Sequence, residues 1–423
     1  MKSSRRFSNA VLWIAAAFLF GRVAFDFSAD RTLQFCQTRV VAQELDDFTF
    51  DSDDATPDLE SEKGLRVVAK VPHGVLFRLD GARDVLALEG TPQEMGEAHG
   101  LLLKEKIESI RARVNAAGAV ASLKEGVDFF DKTDEAIERT RPFTPDRFYE
   151  EIDALANAVG LERKEVRRLN NFMELFHCSG AAMKGDATLG GRVLHIRVLD
   201  YMRDAGLQEE AVTILYQPKD RFAWISVTYA GFVGTVTAMN EKGLTIGEMG
   251  GGGEGKWDGL PMAFMMRRVV EECSTVDEAL ALMKSVPLTC DYYYVLSDAQ
   301  GNLAAVEAIA ESENPVVVLR PGESNPKLPG ALKDVVYVSA KERAVALYER
   351  LRDNYGKIDV ETLQEIIKRP VAMKSNLHDA IFAPETLDVW SAEAGKTTPA
   401  CDEPYLYVNL NELKELFQKE KIK

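Results

Sequence analysis

The stretch CSGAAMKGDATLGGRVLHIRVLDY, Cys178 to Tyr201, is where the chain changes its hydrophobic period. From it onward, LHIRVL, AVTILYQ, FAWISVTYA and VGTVTAM are runs rich in Val, Ile, Thr and aromatic residues. Lys184-Gly185-Asp186, Lys219-Asp220 and Asn240-Glu241-Lys242-Gly243 separate them, so Cys178 to Met249 reads as an antiparallel meander of strands and tight turns.

Upstream, the residues from Gly90 to about Phe176 have helical spacing. Thr91-Pro92-Gln93-Glu94 forms a capping box with Pro at the first helical position, and Thr144-Pro145 opens a further helix that Gly160 closes. Downstream, helices return over Pro261 to Glu272 and, behind Thr275-x-x-Glu278, to about Ser285. YYYVLSD, LAAVEAIA and PVVVLR are strands again, and Lys341 to Lys368 is helical. Helix, sheet, helix pair, sheet, helix is the order of an α+β protein in which two antiparallel sheets face each other and helices cover their outer faces.

The 423 residues are 46% hydrophobic and 28% charged, ordinary globular usage that excludes a collagen, a coiled-coil rod and a disordered chain. With 51 basic against 67 acidic residues the net charge is −16, which repels phosphate backbones and argues against a nucleic-acid partner. The acid is concentrated in ELDDFTFDSDDATPDLESE, Glu44 to Glu62, with nine acids and no base. That composition predicts a disordered linker over 43–64. Ahead of it, Lys2, Arg5 and Arg6 precede AVLWIAAAFLFG, residues 10–21, a basic region plus an apolar segment too short for the ~20 residues of a full span. Residues 1–42 therefore read as an export signal, cut after Ala42 or nearer Ala29, or as an uncut tether through residues 10–21. Ser4-Arg5-Arg6-Phe7 also has a twin-arginine flavour, and a buried N-terminal helix is the plainer alternative. The remaining division is a mainly helical segment, 65–177, and a sheet-rich core, 178–423.

Cys178 stands at the helix-to-sheet transition among small neighbours, Ser179-Gly180-Ala181-Ala182, the uncrowded setting a nucleophile needs. Taken alone it is equally a small buried hydrophobe. Arg197 and Asp200 close a strand that is otherwise apolar. They can hold a thiolate or a substrate carbonyl, or form a structural ion pair. Asn240 sits in a turn, where Asn usually serves its own backbone, though its amide can also serve a site.

The five cysteines, Cys36, Cys178, Cys273, Cys290 and Cys401, have no CxxC spacing, and a Cys290–Cys401 bridge is compatible with export. HExxH is absent and no metal ligand set is spaced for binding, so neither metal nor cofactor is expected. Gly250-Gly251-Gly252-Gly253-Glu254-Gly255-Lys256 satisfies GxGxxG and GxxxxGK only because it holds four consecutive glycines. Trp257 stands where a phosphate loop needs Ser or Thr, so the run reads as the rim of a cleft. His99 and His195 are structural histidines or the base of a Cys–His dyad.

Four strings, GTPQEMGEAHG from Gly90, CSGAAMKGDATLGGRVLHIRVLDY from Cys178, AMNEKGLTIGEMGG from Ala238 and SNLHDAIFAP from Ser375, together resemble the acyl-coenzyme A:6-aminopenicillanic acid acyltransferase-like branch of the cysteine N-terminal-nucleophile hydrolases, which is similar also to the choloylglycine hydrolases. The resemblance spans roughly residues 85 to 410. It implies a four-layer αββα sandwich and self-cleavage before Cys178, whose own α-amine then acts as base. By position it implies Cys178 as nucleophile, Arg197 and Asp200 as its flanking pair, and Asn240 as an oxyanion-hole amide. His177 departs from the small Gly common before the nucleophile, and only Asp291 and Tyr292 to Tyr294 stand where a further Asn is common. The expected activity is cleavage or transfer of the acyl group of a carbon–nitrogen amide, with an amide, an acyl-coenzyme A or a lipid as substrate. An ester-cleaving enzyme of the phospholipase B-like kind and a non-catalytic exported binding protein are the alternatives.

Overall fold

The computed structural model describes residues 64–422 except 80–82, 126–128, 172–176, 202 and 251–256. The expected signal or tether, nearly all of the linker and most of the glycine run lie outside the described residues.

Strands β1 (Leu65–Val71), β2 (Gly74–Leu79) and β3 (Arg83–Gly90) precede helices α1 (Pro92–Leu102), α2 (Lys104–Glu125), α3 (Phe129–Thr140), α4 (Asp146–Val159) and α5 (Arg163–Asn171). Then come β4 (His177–Gly185), β5 (Gly191–Asp200), β6 (Ala211–Pro218), β7 (Trp224–Tyr229), β8 (Thr237–Asn240) and β9 (Thr245–Gly250), followed by α6 (Met262–Glu272) and α7 (Val276–Ser285). The chain continues through β10 (Tyr292–Ser297), β11 (Leu303–Ala308), β12 (Val316–Leu319) and β13 (Val335–Val338) to α8 (Lys341–Asp353) and α9 (Val360–Ile367). It ends on β14 (Asn376–Ala383), β15 (Asp388–Glu393), β16 (Leu406–Asn409) and α10 (Leu410–Glu420).

These strands form two sheets. A ten-stranded sheet has the order β1-β2-β3-β6-β7-β8-β9-β10-β11-β12, and a six-stranded sheet the order β13-β4-β5-β14-β15-β16. The four-layer αββα sandwich follows from what each face buries. Along β4, Ala181 and Met183 share one face by the strand period of two. With Leu194, Ile196 and Val198 of β5 they pack against Leu347 and Leu351 of α8 and Leu363, Ile366 and Ile367 of α9. Cys178 and Ala182, on the other face, join the core between the sheets.

Two features differ from the sequence reading. Residues 65–90, placed there in a mainly helical segment, supply three strands of the larger sheet, and β3 runs parallel to β6 within an otherwise antiparallel design. The reason is physical: VLF of β2 and DVLAL of β3 are buried on both faces, so the alternation that marks a half-exposed strand is missing. Val67 to Lys423 form one compact unit, and the 177/178 boundary falls inside β4.

The capping box is present as expected. The Glu94 backbone N–H donates to Thr91 Oγ1 (3.3 Å) and the Thr91 N–H to Glu94 Oε2 (2.7 Å). Gly160 closes α4 at φ 85°. Helices α1 and α4 cross so closely that a Cβ at Gly96 would lie 2.2 Å from the Glu151 carbonyl oxygen. Backbone cannot yield as a flexible side chain does, so Gly96→Ala should destabilise the fold by about 1–3 kcal/mol and lower the thermal midpoint, read by calorimetry. An unchanged midpoint would show that the helix crossing is slack.

Candidate active site

Register places Cys178 and Arg197 on one face of the smaller sheet. In the smaller sheet Cys178 lies opposite Leu199, Leu199 opposite His378, and His378 opposite Glu393, while Arg197 lies between Gly180 and Ala380. Directly opposed residues share a face, and this face looks onto the larger sheet. Arg197 runs past Gly247 of β9, where a Cβ would come within 2.7 Å of its Cγ, and Nη2 donates to Glu248 Oε2 at 3.2 Å. Both side chains are fully buried. Gly180 makes the matching concession, since a Cβ there would lie 2.9 Å from Met249 Sδ. The Nε and Nη1 groups of Arg197 are buried without a hydrogen-bond acceptor among the described residues, an uncommon condition for charged donors and one that a bound acceptor would relieve.

The Cys178 thiol is buried and stands beside this guanidinium. Burial pushes it up to about 12; Arg197 opposes that, while Glu248 and Asp200 reinforce it. In the continuous strand it is therefore a protonated thiol, a poor nucleophile. Asp200 lies opposite His177 in the register. Its carboxylate accepts from Arg343 of α8 and from the Met373 N–H (2.8 Å), and the same Arg343 Nη2 donates to Ser179 Oγ at 2.8 Å. Burial raises Asp200 to about 6 against the pull of Arg343. Asp200 thus anchors the start of β4 to the helix layer, next to the His177–Cys178 bond.

Asn240 requires a correction. Its Nδ2 donates to the Val270 carbonyl (2.9 Å) and the Cys273 carbonyl (2.8 Å), and its Oδ1 accepts from Lys242 N and Leu244 N, each at 3.0 Å. Every hydrogen-bonding capacity of the amide is used to close the β8–β9 turn and tie it to the end of α6, so nothing is left to hold an oxyanion. The two histidines weighed as bases are also structural. His99 Nε2 accepts from Gly231 N (3.0 Å), and His195, hydrogen-bonded through Nδ1 to Ser297 Oγ (2.9 Å), pairs with Ala182, four residues and about 13 Å along β4 from Cys178. Burial holds both neutral, at about 3. Asp291 Oδ1 accepts from Ala310 N (2.9 Å), a loop contact, and Tyr292 to Tyr294 form part of β10. No disulfide joins Cys290 to Cys401. Among the described residues no group of three or more His, Cys, Asp or Glu could hold a metal ion, and no helix is long and apolar enough to cross a membrane.

Several polar side chains that sequence reasoning passed over converge on the same intersheet layer. Tyr229 shares a hydrogen bond with His378 Nδ1 (2.9 Å), and Thr237 Oγ1 one with His378 Nε2 (3.0 Å). Both oxygens of Glu393 are buried and accept no hydrogen bond from the described residues. Burial pushes this carboxyl up to about 8, with Arg83 and Lys106 opposing. His378 falls inside the string SNLHDAIFAP, where Asn376 and Asp379 are equally buried polar residues.

Residues 192–395, from β5 to the segment after β15, match the family "acyl-coenzyme A:6-aminopenicillanic acid acyl-transferase". Over that stretch the chain is similar to this family. The matched span holds Arg197, Asp200, Tyr229, Glu248, His378 and Glu393. Protein dcd1A of Dictyostelium discoideum is 27% identical over 340 residues, 70% of this chain and 76% of that protein. The N-acylethanolamine-hydrolyzing acid amidase of Rattus norvegicus is 21% identical over 171 residues, 38% of this chain and 47% of its own. Among solved structures, the Caenorhabditis elegans ortholog of that amidase aligns at a TM-score of 0.38 and 13% identity, over 49% of this chain and 93% of its own.

Two outcomes follow. Asn240→Ser should lower the thermal midpoint by the equivalent of about 2–4 kcal/mol, since it strands buried carbonyl and N–H groups; an unchanged midpoint would restore the amide to the site. Glu393 has a folded pKa above its ordinary 4.5. The unfolded chain therefore ionises first, and this group's contribution falls as pH rises from about 4.5 to 8. Glu393→Gln should gain thermal stability over the parent between pH 5 and pH 8, and a gap that does not widen with pH would contradict the burial.

Proposed function

We propose that the chain is an exported cysteine amidohydrolase or acyltransferase that acts on a carbon–nitrogen amide after cleavage between His177 and Cys178. One observation carries the reading: a buried thiol at the start of β4 adjoins a fully buried guanidinium with two donors that have no protein acceptor. Cleavage turns the Cys178 amide nitrogen into an α-amine with a reference pKa of about 7.7–8.0, so the residue carries its own general base. The amine takes the thiol proton, the thiolate adds to the acyl carbon, and the free N–H groups of Arg197 receive the oxyanion. When the tetrahedral adduct collapses, the ammonium returns its proton to the departing amine and leaves a thioester on Cys178. Water or an acceptor amine then releases the acyl group.

The similarity to an N-acylethanolamine-hydrolyzing amidase favours an acyl amide with a lipid chain as substrate. The apolar lining of the intersheet layer, Leu199, Leu377, Tyr201 and Met249, suits such a chain.

Intact-mass measurement of purified protein should find two associated chains parted before Cys178. Cys178→Ala should stay uncut and hydrolyse no fatty-acyl amide. Arg197→Lys keeps the charge but loses the planar fork, and should lower turnover by about 10²-fold. An uncut parent with full activity would overturn the α-amine mechanism.

A further inference from the structure

Three polar side chains in the layer facing Cys178 form a chain with a proton to spare. Tyr229 Oη, His378 and Thr237 Oγ1 are joined by two hydrogen bonds of 2.9 and 3.0 Å. All three residues are buried. The imidazole stacks on the phenol with centroids 5.9 Å apart and planes 26° apart. A neutral imidazole carries one proton and each hydroxyl one, so the chain holds three protons and its two bonds use two. The third has no acceptor among the described residues. With the imidazole proton on Nε2, the spare is the Thr237 hydroxyl proton. With it on Nδ1, Thr237 donates to Nε2, Nδ1 donates to Tyr229 Oη, and the spare is the phenol proton.

The position of that phenol gives the spare proton a use. Cys178 and His378 lie two strands apart on one face, about 10 Å between Cα atoms, with Leu199 between them. An acyl group held on Cys178 Sγ above Leu199 would lie under Tyr229, which descends from the larger sheet onto His378. The phenol interacts electrostatically with Glu393, Arg197 and Cys178. Burial above all holds it protonated, and burial likewise keeps His378 neutral.

We propose that Tyr229 is a catalytic residue whose Oη, set by the Thr237–His378 relay, donates a hydrogen bond to the substrate oxygen that gains charge as Cys178 attacks. No bond to Tyr229 forms or breaks and its proton stays on Oη. The assignment supplies the second kind of oxyanion donor, beside Arg197, that Asn240 does not provide. It rests on Cys178 being the acyl-accepting nucleophile.

The test compares two reactions of the same thiol in the full chain, both read by intact mass. Acylation by p-nitrophenyl acetate passes through an oxyanion, whereas alkylation by iodoacetamide does not. In Tyr229→Phe acylation should slow about 10²-fold while alkylation stays within twofold. Acylation at the parent rate, or an equal fall in both reactions, would overturn the assignment while leaving Cys178 as nucleophile. If neither reagent marks Cys178 in the parent, the nucleophile reading falls and Tyr229 falls with it.

Discussion

A guanidinium enclosed between two sheets sets the terms for the rest of this molecule. Moving a charge out of water costs several kcal/mol unless partners replace its hydration, and Arg197 meets one carboxylate, Glu248, with two of its donor groups left over. The surrounding fold is shaped to admit it. Gly247 gives passage to its side chain and Gly180 lets β4 approach Met249. A hydrocarbon core would require neither, and neither glycine adopts a left-handed backbone that would otherwise explain it. Packing has been given up at one point of the sandwich, and that point adjoins the thiol.

The same burial explains why an intact strand would be inactive. Desolvation and two nearby carboxylates hold Cys178 protonated, and His195 lies opposite Ala182, four residues along β4 from it. On the proposed mechanism, breaking the bond before Cys178 supplies the base that such a thiol needs. Asp200, fixed by Arg343 and Met373, lies opposite His177 in the register. On that proposal catalysis and maturation use the same few atoms.

Much of this was legible in the sequence. The change from helical to alternating period at Cys178, the Thr91–Glu94 capping box and the Gly160 helix end are local features, and local rules found them. Cys178 and Arg197 stood out because one was a nucleophile among small residues and the other a charge in an apolar strand. Asn240 misled because its turn position and its string both matched an amide with a role, while its true partners, the Val270 and Cys273 carbonyls, lie about thirty residues away. Tyr229 and Thr237 gave no signal, since the relay across two sheets joins them to His378 from 149 and 141 positions away. Strands β2 and β3 hid for a related reason: buried on both faces, they show no alternation.

The central claim is that cleavage before Cys178 converts an inert thiol into a nucleophile. The pH dependence of Cys178 alkylation by iodoacetamide, measured separately on chains whose mass shows the bond intact and on chains whose mass shows it cut, tests this most directly. The account predicts that the intact chain stays nearly unreactive until strongly alkaline pH, toward about 12, and that the cut form reacts readily near neutrality. Equal reactivity in the two forms at neutral pH would contradict it.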